Sequence, residues 1–148
     1  MNLALWLERT AQVSPERPAL FSGRTCVASY GAFWTQARAV AGALQAKGVA
    51  PGYRVAIFMS NCPEYLIAFY GIWCAGAVVV PINAKLHGRE AAYILEDAGA
   101  SVVFASADLA AKLAEADVAA EVFVAPGPAF DAMCSHDPLA GPAPRDAS

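Results

Sequence analysis

The stretch Arg54-Val-Ala-Ile-Phe-Met-Ser-Asn-Cys-Pro-Glu-Tyr-Leu-Ile-Ala-Phe-Tyr-Gly-Ile-Trp-Cys-Ala-Gly-Ala-Val-Val-Val-Pro-Ile-Asn83 decides the fold. Val55 to Met59 is a continuous apolar run, the pattern of a strand covered on both faces. Asn61 stands three residues before Glu64, with Pro63 between them. Asn at an N-cap and Glu at N3 each satisfy an exposed helix donor, and Pro is tolerated in the first turn. This predicts a helix over 62–75, capped by Asn61 and stopped by Gly76 in the left-handed conformation. Ala77 to Val80 is apolar and mostly β-branched, a second buried strand that Pro81 closes. Strand, helix and strand in succession make a βαβ unit.

Upstream, Leu3, Trp6, Leu7 and Thr10 fall at helical spacing within 3–13, and Ser14-Pro15 stops that helix. Ala19 to Phe21 and Thr25 to Ala28 flank the turn Ser22-Gly23-Arg24 and read as a hairpin. Ser29 caps a long helix over 30–47, with Phe33, Ala37, Val40, Ala41 and Leu44 on one stripe and Gly48 as its end. Downstream come a loop over 82–88, a helix over 89–98 stopped by Gly99, and a strand at Val102 to Phe104. Ser106 is placed to cap a helix over 107–116, and Val122 to Val124 forms one more strand. From Pro126 onward Pro and Gly are dense, which reads as a linker or frayed tail over 126–148 rather than a core element. The alternation predicts an α/β fold: a mostly parallel sheet with helices on both faces, the strands at 54–59, 77–80 and 102–104 being neighbours.

A length of 148 residues is enough for one domain with a sizeable core. Hydrophobic residues make up 57% and charged residues 16%, so either most of the chain is buried between layers or some apolar surface packs against a partner. A net charge of −3 argues against a broad field for nucleic acid. The N-terminus has no basic region and its apolar run is broken by Glu8 and Arg9, unlike a signal peptide. Tyr65 to Ile82 is free of charge at the length of a membrane span, but Gly76 and Pro81 punctuate it, so it reads as helix plus buried strand. The four cysteines include no Cys-x-x-Cys pair and fit reduced thiols in the cytoplasm.

Each motif that could carry chemistry also has a plain structural reading. The turn after the central strand, Met59 to Glu64, lies where open sheets bind ligands, yet it lacks the Gly-x-Gly-x-x-Gly of a dinucleotide site. Gly71 and Gly76 have phosphate-loop spacing but sit at a helix end, where amides face away from a phosphate. Close packing and a C-cap explain them. Glu96 and Asp97 are adjacent on a helix and diverge, so they read as a solvated face. Cys62 starts a helix, where the dipole lowers a thiol pKa, but no nearby His acts as its base. Cys134-Ser135-His136 is half a zinc site without its second pair. Trp34, Phe69, Tyr70 and Trp73 at helical spacing read as core before they read as an acyl pocket. No catalytic, cofactor-binding or metal residue is therefore assigned within the chain.

Larger blocks of sequence say more. Pro18-Ala19-Leu20-Phe21, Ser29-Tyr30-Gly31-Ala32-Phe33, Lys47-Gly48-Val49 with Pro51-Gly52 and Arg54-Val55-Ala56-Ile57, and Ser60-Asn61-Cys62-Pro63-Glu64-Tyr65 follow in order. Then come Gly71-Ile72, Ala75-Gly76-Ala77-Val78, Val80-Pro81-Ile82-Asn83 and Tyr93-Ile94-Leu95-Glu96-Asp97-Ala98-Gly99-Ala100. The chain resembles the N-terminal segment of the acyl-adenylate-forming (AMP-forming) synthetases, most closely the fatty acyl-CoA ligases, across 3–125. The resemblance implies a partial N-terminal α/β domain over 1–125, truncated within 126–148 before the family's phosphate loop. It implies a parent that uses ATP and Mg²⁺ to activate a carboxylic acid as acyl-AMP, then transfers the acyl group to coenzyme A. The motifs for adenine, magnesium, the hinge and the catalytic lysine lie outside this sequence, so the chain alone is expected to be inactive. Its expected partner is the remainder of the synthetase or a second copy. The competing expectation is a non-enzymatic α/β interaction module. Tyr53 departs from the family's usual Asp beside Arg54, and Cys74 from a commonly bulkier or charged residue; neither touches chemistry.

Overall fold

The computed structural model describes residues 1–145; Asp146 to Ser148, the end of the expected tail, lie outside the described residues. The elements run α1 (Leu5–Val13), β1 (Pro18–Ser22), β2 (Thr25–Ser29), α2 (Tyr30–Ala46), β3 (Arg54–Phe58), α3 (Pro63–Cys74), β4 (Val78–Pro81), α4 (Gly88–Ala98), β5 (Val102–Ala105), α5 (Ala107–Ala114), β6 (Glu121–Val124) and α6 (Pro128–Cys134). β1 and β2 form an antiparallel hairpin, with Gly23 at φ +59° in its two-residue turn. The other strands form one parallel sheet in the order β4-β3-β5-β6. The three strands expected as neighbours are neighbours, with β3 between the other two.

The unbroken apolar character of β3 follows from its position. Val55, Ile57 and Met59 join one core with α1, α2, α3 and α6. Ala56 and Phe58 join a second core with Ala91 and Leu95 of α4 and Leu109 and Leu113 of α5. Alternate side chains leave opposite faces of a strand, so a strand covered on both faces shows no polar alternation.

Helix ends follow the glycines. Val49 donates to Leu44 O at 3.0 Å, Ala77 to Ile72 O at 3.1 Å and Ala100 to Leu95 O at 3.0 Å. Each bond turns the chain back around a left-handed Gly, at Gly48 (φ +89°), Gly76 (φ +79°) and Gly99 (φ +64°). Helix starts are less regular. Ser29 caps α2, its hydroxyl accepting from Ala32 N at 3.2 Å. At α3 the expected Asn61 cap is not formed. The N-cap position is Cys62, in extended conformation with no side-chain cap bond, and Asn61 is exposed one residue earlier. Pro63 takes the first helical position, which shifts the start by one residue and puts Glu64 out of capping register. Ser29→Ala should therefore lower the unfolding free energy by about 1 kcal/mol. Asn61→Ala should leave it within about 0.5 kcal/mol. Paired urea titrations check both.

Two further expectations are corrected. Helix α1 begins at Leu5 and buries Leu7 and Ala11, leaving Trp6 56% exposed on the opposite side. The stretch from Pro126 is no free tail. It forms α6, which buries Phe130 and Met133, and then runs back across α2 and α3. Leu139 N donates to Arg38 O at 3.1 Å, and Arg38 Nη1 returns a bond to Leu139 O at 2.9 Å. Ala143 N donates to Cys74 O at 2.7 Å, and Arg145 Nη1 to Gly76 O at 2.9 Å. Asn2, itself buried, donates to both Trp73 O and Ala143 O and so ties the N-terminus to this strap. Pro and Gly punctuation marks irregular backbone; it says nothing about whether that backbone is docked.

Candidate functional site

In an open parallel sheet the ligand crevice lies beyond the carboxyl ends of the strands, where strand order reverses. From β3 the chain passes to β4 on one side and later to β5 on the other, so the reversal falls between β3 and β5. Here the loops after those two strands meet. Ser106 is buried at the start of α5, but its hydroxyl does not cap that helix. It accepts instead from Ser60 N at 2.8 Å, across the reversal point. The bond ties together the two loops that flank the reversal point. Sequence reasoning gave Ser106 a local capping role, and no local signal shows that its partner lies 46 residues away.

The open space lies on the other side of β3. A crevice of about 500 Å³ is lined by Met59, Ser60, Asn61 and Tyr65 from the β3 end, and by Ile82 to Lys85 from the β4 end. Asn83 Oδ1 accepts from Lys85 N at 3.0 Å, so the loop spends that acceptor on its own shape. What remains is Lys85, the Asn61 amide and the Ser60 and Tyr65 hydroxyls. No His or paired carboxylate stands among the lining residues to activate a hydroxyl. The wall's remaining polar groups are one lysine, one amide and two hydroxyls.

The other candidates resolve the same way. Cys62 is half-buried, and desolvation raises its thiol pKa, the reverse of dipole activation; the Tyr65 amide opposes this only in part. Burial first, then the charges of Asp131 and Glu64, push Cys134 up to about 11. His136 Nδ1 lies 3.0 Å from Asp137 O, and among the described residues no group of three His, Cys, Asp or Glu is placed to hold a metal. Gly71 packs against α2: a Cβ there would come within 2.7 Å of Val40 Cγ1. Gly76 closes α3, so the glycine pair is packing and cap. Glu96 and Asp97 are both exposed. Trp73 meets Phe69 and Tyr70 edge-on at centroid distances of 4.6 and 5.3 Å, Phe69 and Tyr70 are tilted at 6.4 Å, and Phe33 lies beside Tyr70 at 5.4 Å, while Trp34 is buried under the Arg38 guanidinium. They are core and core rim.

Cys74 is fully buried, and desolvation pushes its thiol up to about 12 from the ordinary 9.0. The native chain thus holds this proton more tightly than the unfolded chain does. That stabilisation is complete below pH 9 and is lost as pH rises toward 12. Thermal melts should fall through this window, and Cys74→Ala should flatten the slope there.

The model of the family described as AMP-binding enzyme matches residues 7–143. The chain belongs to that family. It is 40% identical over 103 residues to the long-chain-fatty-acid–CoA ligase FadD13 of Mycobacterium tuberculosis, covering 69% of this chain and 20% of that protein. It is 33% identical over 110 residues to the crotonobetaine/carnitine–CoA ligase of Salmonella paratyphi A, covering 72% and 21%. The fold matches a benzoate CoA ligase from Burkholderia xenovorans with TM-score 0.90 at 26% identity, over 99% of this chain and 31% of that one. It also matches the N-terminal domain of FACL13 from Mycobacterium tuberculosis with TM-score 0.82 at 31% identity, over 100% and 38%. The chain thus spans about a fifth of the length of these curated relatives. As a member of the family it carries the α/β architecture of the N-terminal domain. Among the described residues no helix is long and apolar enough to cross a membrane.

An AMP-forming ligase implies ATP and coenzyme A, and the described residues do not form a phosphate site for either. Among the described residues no glycine-rich turn opens a helix with a lysine beside it; of the two glycines at phosphate-loop spacing, Gly71 lies within α3 against Val40 and Gly76 closes the helix. Arg54 and Lys85 stand apart, and Arg89 and Lys112 share one crevice with His87 but also with the carboxylates of Glu90 and Glu115.

Proposed function

We propose that this chain provides the first part of the large N-terminal domain of a cytoplasmic AMP-forming acyl-CoA ligase. The parent enzyme activates a carboxylic acid with ATP and Mg²⁺ and passes the acyl group to coenzyme A. The observation that carries this reading is the family match over 7–143 together with the fold match to acyl-CoA ligases over nearly the whole chain. The chain's own contribution is structural: a parallel sheet, its covering helices and one wall of a crevice. It contributes no catalytic, cofactor-binding or metal-binding residue. Phosphoryl and nucleotidyl chemistry depends on donors and cations set around developing charge, and the described residues do not supply that arrangement.

ATP–pyrophosphate exchange tests this in two preparations. The chain ending at Ser148 should give no exchange above a no-protein blank with Mg²⁺ and a panel of fatty acids, benzoate and carnitine. A longer product extended to the relatives' length should exchange with at least one acid. Activity in the short chain, or none in the folded long one with any acid, overturns the proposal.

A further inference from the structure

Beyond α6 the chain crosses α2 and α3 as a strap over 135–145, and polar groups hold it there. Within it only Ala143 is buried; Leu139, Gly141 and Pro142 are half-buried and the rest is exposed. Local opening free energies follow buried apolar contacts, so this segment is among the weakly held parts of the molecule. Its fastening is concentrated in one side chain. Asn2 is 7% exposed and uses both polar atoms of its carboxamide. Nδ2 donates to Trp73 O at 2.6 Å and to Ala143 O at 3.0 Å, and Oδ1 accepts from Ala4 N at 2.9 Å. The amide cannot be turned over, because Nδ2 faces two carbonyls and Oδ1 faces an N–H. The closed position also carries a cost. Arg38 Nη1 donates to Leu139 O, while its Nε is buried with no hydrogen-bond partner among the described residues. Release of the strap lets water reach that donor.

The other end of the strap rests in a notch. A Cβ at Gly42 would collide with Asp137 O and stand 3.0 Å from His136 Nδ1, so α2 admits the strap where it has no side chain. We infer that 135–145 is a cover over the seam between α2 and α3 that opens as one unit while the sheet stays folded, with the Asn2 carboxamide as its clasp. Opening uncovers the end of α3. Cys74 there is fully buried, and Ala143 N donates to its carbonyl at 2.7 Å. Two charged groups act on the Cys74 thiol, Arg38 and Glu8. Both touch the strap, Arg38 at Leu139 O and Glu8 against Gly141. The thiol therefore lies beneath the cover and reports its opening.

Amide exchange is followed by NMR on the full 148-residue chain. Leu139 N and Ala143 N should share one opening free energy, well below that of Ser106 N, which donates to Phe58 O at 3.2 Å inside the sheet. Ala77 N, bonded to Ile72 O, marks the end of α3 itself. Asn2→Asp keeps the acceptor for Ala4 N but turns a carboxylate on two carbonyls. It should speed exchange at both strap amides by at least about tenfold and leave Ala4, Ala77 and Ser106 unchanged. Gly42→Ala suits the helix better and meets only the His136 and Asp137 end, yet it should speed Ala143 by a similar factor. Iodoacetamide then reads the thiol by peptide mass: the thiolate displaces iodide and the thiol proton passes to solvent. Cys74 should be alkylated far more slowly than exposed Cys26 in the native chain, and at least about tenfold faster in both variants than in the native chain. Unequal opening free energies at Leu139 and Ala143, or a Gly42→Ala effect that stops at Leu139, overturns the single unit. An unmoved Ala143 in Asn2→Asp overturns the clasp. Loss of protection at Ala77 or Ser106 together with the strap, or an unlabelled Cys74 while Ala143 exchanges faster, overturns the cover. No outcome involves adenylation, so each is read apart from the ligase reading.

Discussion

Phe104→Ala is expected to lower the unfolding free energy by about 4 kcal/mol, close to what a small domain can lose and stay folded. Phe104 is fully buried in β5, with its ring 5.7 Å from Phe130 at 86° and 6.0 Å from Phe123. Truncation removes the transfer free energy of the ring and leaves a cavity that β5, held between two paired strands, cannot collapse to fill. Urea denaturation should show the midpoint falling with the slope unchanged. Phe130→Ala serves as the comparison. Phe130 is 1% exposed although it lies in the stretch whose punctuation reads as linker. If α6 is docked as described, its loss should also cost about 3 kcal/mol. A cost under about 0.5 kcal/mol would return 126–145 to the status of a frayed tail.

Gly71→Ala is expected to destabilise by about 2 kcal/mol, although alanine is the better helix former by about 1 kcal/mol. The added Cβ would sit 2.7 Å from Val40 Cγ1, 2.8 Å from Val40 Cβ and 3.1 Å from Ala37 O. Val40 is fully buried and β-branched, so it has no free rotamer to move into. The helices must separate, and α2 and α3 form the main layer over one face of the sheet. A double-mutant cycle with Val40→Ala isolates the clash. If overpacking is the cause, the two changes together should cost clearly less than their sum. Strict additivity would show that Gly71 matters for some other reason.

The architecture was legible in the sequence because it rests on local or periodic rules. The apolar run at Val55 to Met59 predicted a strand buried on both faces, and Gly48, Gly76 and Gly99 predicted helix ends through the one residue type that adopts the left-handed conformation freely. Those positions depend on the chain's own geometry, so no distant partner was needed to read them. The order of the motifs also carried the family, which the match over 7–143 bears out.

Tertiary contacts decided the rest. Asn61 and Ser106 have capping residue types, but Pro63 moved the start of α3 past Asn61, and the Ser106 hydroxyl turned to Ser60 N. The strap over α2 and α3 is held by backbone bonds to Arg38 O and Cys74 O, groups that every sequence possesses and no sequence pattern marks. Cys62 shows the same limit in its chemistry. Its place at a helix start would favour the thiolate through the dipole, but burial, which depends on what packs nearby, raises its pKa instead. Sequence by itself determined where strands and helices form, because backbone conformation and periodicity are local. Only the tertiary structure decided which polar groups meet and which surfaces stay open, because burial and pairing belong to residues far apart in the chain.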